Sequence, residues 1–222
     1  MVNAPTGLRE RKKQRTRETI SDTAIALFLE RGFDQVPVVD IAAAAEVSKP
    51  TLFTYFPTKE DLVVHRFADH QTVSSTVVAE RPPGVSPIAA LHRHFLDGLA
   101  ARDPITGLND DEDVLAFHHL VYSTPSLVAR VGRYLARAEE ALAGALAEAL
   151  DSDRETTAAV LAGQVVATER ILASANWRRI AAGRSADAVH PEAVADADQA
   201  YTLLREGLAR VAPQQPHHRR RH

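Results

Sequence analysis

The sequence predicts an all-α protein, and three observations carry that prediction. Alanine, leucine and charged residues dominate. Apolar residues recur at helical rather than alternating spacing. Pro and Gly gather between the helical stretches, at Pro5-Thr6-Gly7, Arg81-Pro82-Pro83-Gly84, Asp103-Pro104 with Gly107, and from Pro213 onward. The 222 residues, 45% hydrophobic and 25% charged, suit one large or two modest globular domains. Cysteine is missing, which excludes disulfides, zinc–thiolate sites and thiol catalysis. The polar, basic N-terminus lacks an apolar leader, and no apolar run reaches the length of a membrane span. A cytoplasmic protein without membrane association is expected.

The first helix is read over 8–31. Ile20, Ala24, Leu27 and Phe28 form one apolar stripe, and Gly32 stops it. A second helix, 38–45, opens beside Pro37. After the turn Glu46-Val47-Ser48 a third runs from Lys49 to Phe56. Ser48 is its N-cap, Pro50 lies in its first turn, and Pro57 ends it. Thr58 caps a fourth helix, whose first turn holds Glu60 and Asp61; it is read as continuing to Arg81. Longer Ala/Leu-rich helices are expected over about 86–102, 110–123, 125–150, 154–183 and 190–211. The domains expected are 1–57, a connecting helix over 58–81, a helical domain over 82–212, and a disordered basic tail over 213–222.

Charge is distributed unevenly. Net charge is −3, yet residues 1–17 hold six basic side chains against Glu10 alone, while residues 67–222 hold 16 basic against 20 acidic. One end is therefore suited to phosphate. That end also carries two short helices joined by a three-residue turn, the arrangement of a helix-turn-helix. Such a unit places the N-terminal residues of its second helix against base edges. In Ser48-Lys49-Pro50-Thr51-Leu52-Phe53-Thr54-Tyr55-Phe56, spacing points Leu52, Phe53 and Phe56 to the core. Lys49, Pro50, Thr51, Thr54 and Tyr55 are left for the outer face.

The run Gly32-Phe33, Asp40-Ile41-Ala42, Val47-Ser48, Thr51-Leu52-Phe53 with Phe56, and Lys59-Glu60 resembles the signature of the TetR family over about 55 residues. The resemblance implies an all-α homodimer that binds a near-palindromic, double-stranded DNA operator as a repressor and is released by a small, largely apolar ligand. It implies base contacts from Lys49, Pro50 and Thr51, with Thr54 at the groove edge and phosphate contacts from Tyr55 and Lys59. The basic arm, with Lys12, Lys13 and Arg15, would add DNA contacts. Phe53 and Pro37 depart from the family pattern, and the first loses a phenol.

The resemblance also implies a ligand pocket over about 86–183 and a dimer interface in the last two helices. Candidate pocket residues are His92, Phe95, Phe117, His118, Tyr122, Asn176 and Trp177, each also readable as core packing or a surface position. The cluster from Phe117 to Tyr122 with Thr124-Pro125-Ser126-Leu127 resembles a C-terminal domain common in actinobacterial members. For the interface, Ala158, Leu161, Ala162, Val165, Val166, Thr168 and Leu172 give one small-residue stripe, and Leu203, Leu204, Leu208 and Val211 a second face. The ten histidines lack metal-ligand spacing, and no nucleophile–base set or phosphate loop stands out. No metal, cofactor or enzyme activity is expected. Regulation by a protein partner, or without any small-molecule ligand, is the alternative.

Overall fold

The computed structural model describes residues 7–150 and 155–209, and all regular structure in them is helical. The expected tail, Arg219 to Arg221 and Val211 lie outside the described residues. In chain order the helices are α1 (Leu8–Arg31), α2 (Val38–Ala44), α3 (Lys49–Tyr55), α4 (Asp61–Val64), α5 (Val73–Ala79), α6 (Pro87–Ala101), α7 (Glu112–Ser123), α8 (Pro125–Ala149), α9 (Glu155–Ala181) and α10 (Ala186–Ala209). Two 3-10 segments, His65–His70 and Pro104–Thr106, lie between α4 and α5 and between α6 and α7. Helix starts follow local rules. The hydroxyl of Ser86 accepts the Ala89 N–H, and the carboxylate of Asp111 accepts those of Asp113 and Val114.

The continuous helix expected over 58–81 is not formed. The segment is broken into α4, the 3-10 stretch His65–His70 and α5. No Pro or Gly lies between Leu62 and Glu80, so no single residue forces the break. Val63, Val64, Thr72, Val73, Thr76, Val77 and Val78 are β-branched, which weakens helix propensity and leaves packing to decide.

Two compact units form, and they are not consecutive in the chain. Among the described residues, one joins 7–71 to 111–137, and the other joins 72–110 to 138–150 and 155–209. The first unit has a continuous core built from Ile20, Ala24 and Phe28 of α1, Ile41 of α2, Leu52 and Phe56 around α3, Leu62 to Val64 of α4, and Leu120, Val121, Leu127 and Val131 of α7 and α8. Phe117, read as a pocket residue, packs against this core and stacks on Phe67 with ring centroids 6.0 Å apart.

The second unit is built on α6, α9 and α10. Ala158, Leu161, Ala162, Val165 and Leu172 are buried within it. The stripe assigned to the dimer interface is therefore mainly intramolecular core, because α9 is apolar on several sides and periodicity does not choose among them. Val160, Ile171 and Leu203 are instead the exposed apolar residues of α9 and α10, at 56%, 56% and 65%. By length and composition alone α9 could also cross a membrane, against the expectation from sequence. One of its faces packs inside the unit and carries the buried amide of Asn176. Packing there is close. Gly107 has φ +70°, and a Cβ on it would meet the Ala173 carbonyl oxygen at 2.0 Å.

A polar group lies at the edge of this core, with Tyr201 buried, Glu169 and His92 partly buried and Asp198 exposed. The Tyr201 hydroxyl donates to Glu169 at 2.7 Å, and His92 stacks on the Tyr201 ring with centroids 4.8 Å apart. His92 Nε2 lies 2.9 Å from Asp198, and Phe95 packs against the same ring. Burial pushes the Glu169 carboxyl up to about 7, with the bond from Tyr201 opposing. A raised carboxyl favours the fold while protonated. Its contribution is complete below the ordinary glutamate range and is lost as pH rises through about 7. Glu169→Gln keeps an acceptor for Tyr201 and should be more stable than the native chain at pH 8, by about 3 kcal/mol at most. That advantage should disappear by pH 4.5; equal denaturant midpoints at both pH values would contradict the assignment.

Candidate nucleic-acid interface

The short helix α3 is fixed at both ends by its own sequence. The Ser48 hydroxyl accepts the Thr51 N–H at 3.1 Å and shares a 2.7 Å hydrogen bond with the Thr51 hydroxyl. Pro50 occupies the first turn, where its missing N–H has no helical partner to lose. Phe56 leaves the helix in an extended conformation, as Pro57 requires. Before α3, Glu46 takes φ 54°, a left-handed conformation that turns the chain from α2 into α3.

Successive helical residues are about 100° apart, so Leu52 and Phe56 share one face, with Tyr55 on one flank of it and Phe53 on the other. Leu52 and Phe56 are fully buried, and Tyr55 is half-buried against the same core. Phe53 lies on the other side and is 38% exposed. The expectation that Phe53 faces the core is thus corrected, and Tyr55 takes the inward place instead. A helical wheel does not decide this, since Phe53 and Tyr55 flank Leu52 and Phe56 at equal angles, and packing chooses between them. Lys49, Pro50, Thr51 and Thr54 are exposed together, and the Thr54 hydroxyl donates to the Pro50 carbonyl at 3.0 Å.

Lys59 is largely committed inside the unit. Its ammonium donates to the Phe33 carbonyl and lies 4.5 Å from the Phe33 ring centroid and 5.3 Å from that of Phe28. Burial lowers its pKa, with Asp34 and Glu60 opposing. On α1, Lys12, Lys13 and Arg15 are exposed, and the basic stretch from residue 8 onward is helical.

Sequence reasoning missed the tie behind α3. Thr58 and Asp61 cap one another: the Asp61 carboxylate accepts the Thr58 N–H at 3.1 Å, and the Thr58 hydroxyl accepts the Asp61 N–H at 3.3 Å. The other oxygen of Asp61 accepts two hydrogen bonds from Arg130 of α8. The Asp61 side chain is only 8% exposed. Ser21 of α1 adds a bond to the Leu62 carbonyl at 2.7 Å. An Arg sixty-nine residues away leaves no local signal in sequence.

The candidate ligand residues are divided between the two units. Phe117, His118 and Tyr122 belong to the first unit, where His118 stacks on Tyr122 with centroids 4.2 Å apart. Burial pushes His118 down to about 4, and His119 adds to the effect. His92, Phe95, Asn176 and Trp177 belong to the second unit. There the Asn176 amide donates to the Thr106 carbonyl at 3.0 Å, and its oxygen accepts from Arg179 at 3.3 Å. Two depressions found among the described residues are open grooves, along Glu10 to Glu18 and beside Thr58 and Arg130. Among the described residues no cluster of His, Asp and Glu is arranged to hold a metal ion.

Residues 20–65, which include all of α2 and α3, match the family described as bacterial regulatory proteins, tetR family. That segment of the chain is of the TetR-family type. The chain is 34% identical over 139 residues to the HTH-type transcriptional regulator TcmR of Streptomyces glaucescens, covering 62% of this chain and 60% of that protein. It is 42% identical over 60 residues to the putative mycofactocin biosynthesis transcriptional regulator MftR of Mycobacterium tuberculosis, covering 27% of this chain and 30% of that one. The match thus spans less than two thirds of the length of these curated relatives. The fold is similar to that of GusR of Salmonella enterica, with a TM-score of 0.56 at 20% identity, covering 88% of this chain and 96% of that one. As in the sequence reading, the described residues are all-α, with N-terminal helix-turn-helix helices and a larger helical remainder.

Removing Arg130 should expose the importance of its tie to Asp61. Arg130→Met leaves the Asp61 carboxylate buried without its cation and should destabilise the fold by about 3 kcal/mol. Asp61→Asn/Arg130→Met should lose less than the two single variants combined. Additive losses in chemical denaturation would show that the pair is not coupled.

Proposed function

We propose that the chain is a transcriptional regulator that binds double-stranded DNA as a homodimer and acts as a repressor on a near-palindromic operator. The observation that carries this reading is α3 itself, a rigidly capped seven-residue helix that presents Lys49, Pro50, Thr51 and Thr54 on its exposed side. Base edges would meet Lys49, Pro50 and Thr51, and Thr54 would lie at the groove edge. Phosphates would meet Lys12, Lys13 and Arg15. Tyr55 and Lys59 are weaker phosphate anchors than their positions in the family pattern imply, since Tyr55 packs inward and Lys59 already binds Phe33.

Binding should weaken steeply with salt, with a log–log slope of about 0.9 per phosphate neutralised. Replacing Lys12 and Arg15 together by Ala should weaken binding to every duplex and flatten that slope by about 2. Thr51→Ala should instead relax selectivity, by about 1–3 kcal/mol at the base it reads. Titrations of a selected and a random duplex at several salt concentrations separate the two; the same effect from both variants would refute the division of roles.

Dimerisation through α9 and α10 is supported by the exposure of Val160 and Ile171, which share one side of α9, and of Leu203 on α10. Two copies would bury these residues against each other and hold two recognition helices at one half-site spacing. Ile171→Asp should leave the folded subunit intact and shift it to monomer in sedimentation; an unchanged dimer would place the interface elsewhere.

Release by a small, largely apolar ligand in the second unit is part of this reading. The break of segment 58–81 into three pieces means that such release would not be the pivot of one long helix. A second reading has specific support: Asn176 and Phe95 are already engaged within the core, and the ligand candidates are divided between the units. Control by a protein partner, or without a ligand, fits those engagements. Calorimetric titration with small-molecule libraries would separate the two readings.

A further inference from the structure

The exposed side of α3 is not uniform. Lys49 and Thr51 bring an ammonium and a hydroxyl, so they can address the hydrogen-bonding edges of bases. Pro50, Phe53 and Thr54 stand at i, i+3 and i+4, which makes them neighbours on one strip of the helix surface. All three are exposed. Pro50 has no N–H to offer. Phe53 has no polar side-chain atom. Thr54 has already donated its hydroxyl hydrogen to the Pro50 carbonyl. What this strip presents is therefore a proline ring, a phenyl ring and a threonine methyl, with no free donor.

Such a strip has no donor to offer and only the lone pairs of the Thr54 hydroxyl as acceptor, so its surface is mainly apolar and water must order around it in the free protein. In the major groove one base feature matches it, the C5-methyl group of thymine. We infer that Phe53, flanked by Pro50 and Thr54, is a specificity-determining residue that selects thymine through its methyl group. This inference rests on the proposed reading of α3 as a DNA-recognition helix. It assigns Phe53 an apolar base contact, where the family pattern would supply a phenol to phosphate. Selectivity is then divided along the helix, with polar readout by Lys49 and Thr51 and methyl readout by the Pro50–Phe53–Thr54 strip.

Deoxyuridine keeps every hydrogen-bonding atom of thymine and lacks only the methyl group, so it tests the inference directly. A duplex enriched from a random library by the full-length protein is resynthesised with deoxyuridine replacing one thymine at a time. At one or more positions in each half-site, affinity for the native protein should fall threefold to tenfold. Phe53→Ala should bind the thymine and deoxyuridine duplexes equally, and Phe53→Tyr, which keeps the ring, should still discriminate. Circular dichroism and the salt slope on random duplex would show that both variants remain folded and DNA-competent. Equal discrimination by the native protein and Phe53→Ala would overturn the inference. So would a native protein indifferent to every methyl group, although salt-sensitive binding would then leave the DNA-binding reading intact. Absence of any salt-sensitive DNA binding would overturn both.

Discussion

The buried carboxylate of Asp61 is the point on which the first unit depends. One oxygen closes a reciprocal cap with Thr58, immediately after the Pro57 that ends α3, and the other receives two hydrogen bonds from Arg130 of α8. Four residues separate Asp61 from the extended Phe56, so the cap also fixes where the recognition helix stops. A carboxylate this buried is tolerable only because it is fully hydrogen-bonded and faces a guanidinium. The charge pair adds little net stability over an apolar substitute, but its fork geometry permits one arrangement. Around it, Ser21 holds the Leu62 carbonyl and Lys59 spans Phe33 and Phe28, so α1 and α4 are tied by directional contacts as well as by an apolar core they share with α3.

That arrangement leaves the outer side of α3 free. Leu52, Tyr55 and Phe56 hold the helix from one side, and the unsatisfied groups at its start are met by Ser48. A helix of seven residues would not persist alone, since nucleation is unfavourable and few hydrogen bonds follow it. Its order comes from the core and the cap together. The side chains that face outward inherit this rigidity, which is the requirement for reading a groove without first ordering the reader.

Much of this was legible in the sequence. Ser48, Pro50 and Pro57 mark the bounds of α3 through rules that act within a few residues, and the structure follows them. The starts at Ser86 and Asp111 were legible in the same way. Phe53 was misplaced because it and Tyr55 flank Leu52 and Phe56 at equal angles, so spacing does not choose between them and only packing turns Tyr55 inward. Arg130 was not legible, because nothing in the residues near it distinguishes an arginine that will meet a buried carboxylate from one that meets water. The continuous helix over 58–81 failed for a related reason. No helix breaker interrupts it, and the β-branched run leaves the outcome to tertiary packing.

The second unit shows the limit of periodicity most sharply. On α9, alanine, valine, leucine and isoleucine occupy almost every angular position, so the sequence supports several faces equally. Only packing against the rest of the unit decides that Ala158, Leu161 and Val165 turn inward and that Val160 and Ile171 remain outside. Polar residues within such a helix carry more information than the apolar ones. Asn176 is buried because its amide meets the Thr106 carbonyl and its oxygen meets Arg179, and Glu169 is tolerated because Tyr201 donates to it. An unpaired polar group would cost about 1–3 kcal/mol there, so each such contact restricts the register of α9 against its neighbours. The same logic separates a structural polar residue from a ligand-binding one. A side chain whose hydrogen bonds are already met by the fold has little left to offer a ligand, and Asn176 falls in that class.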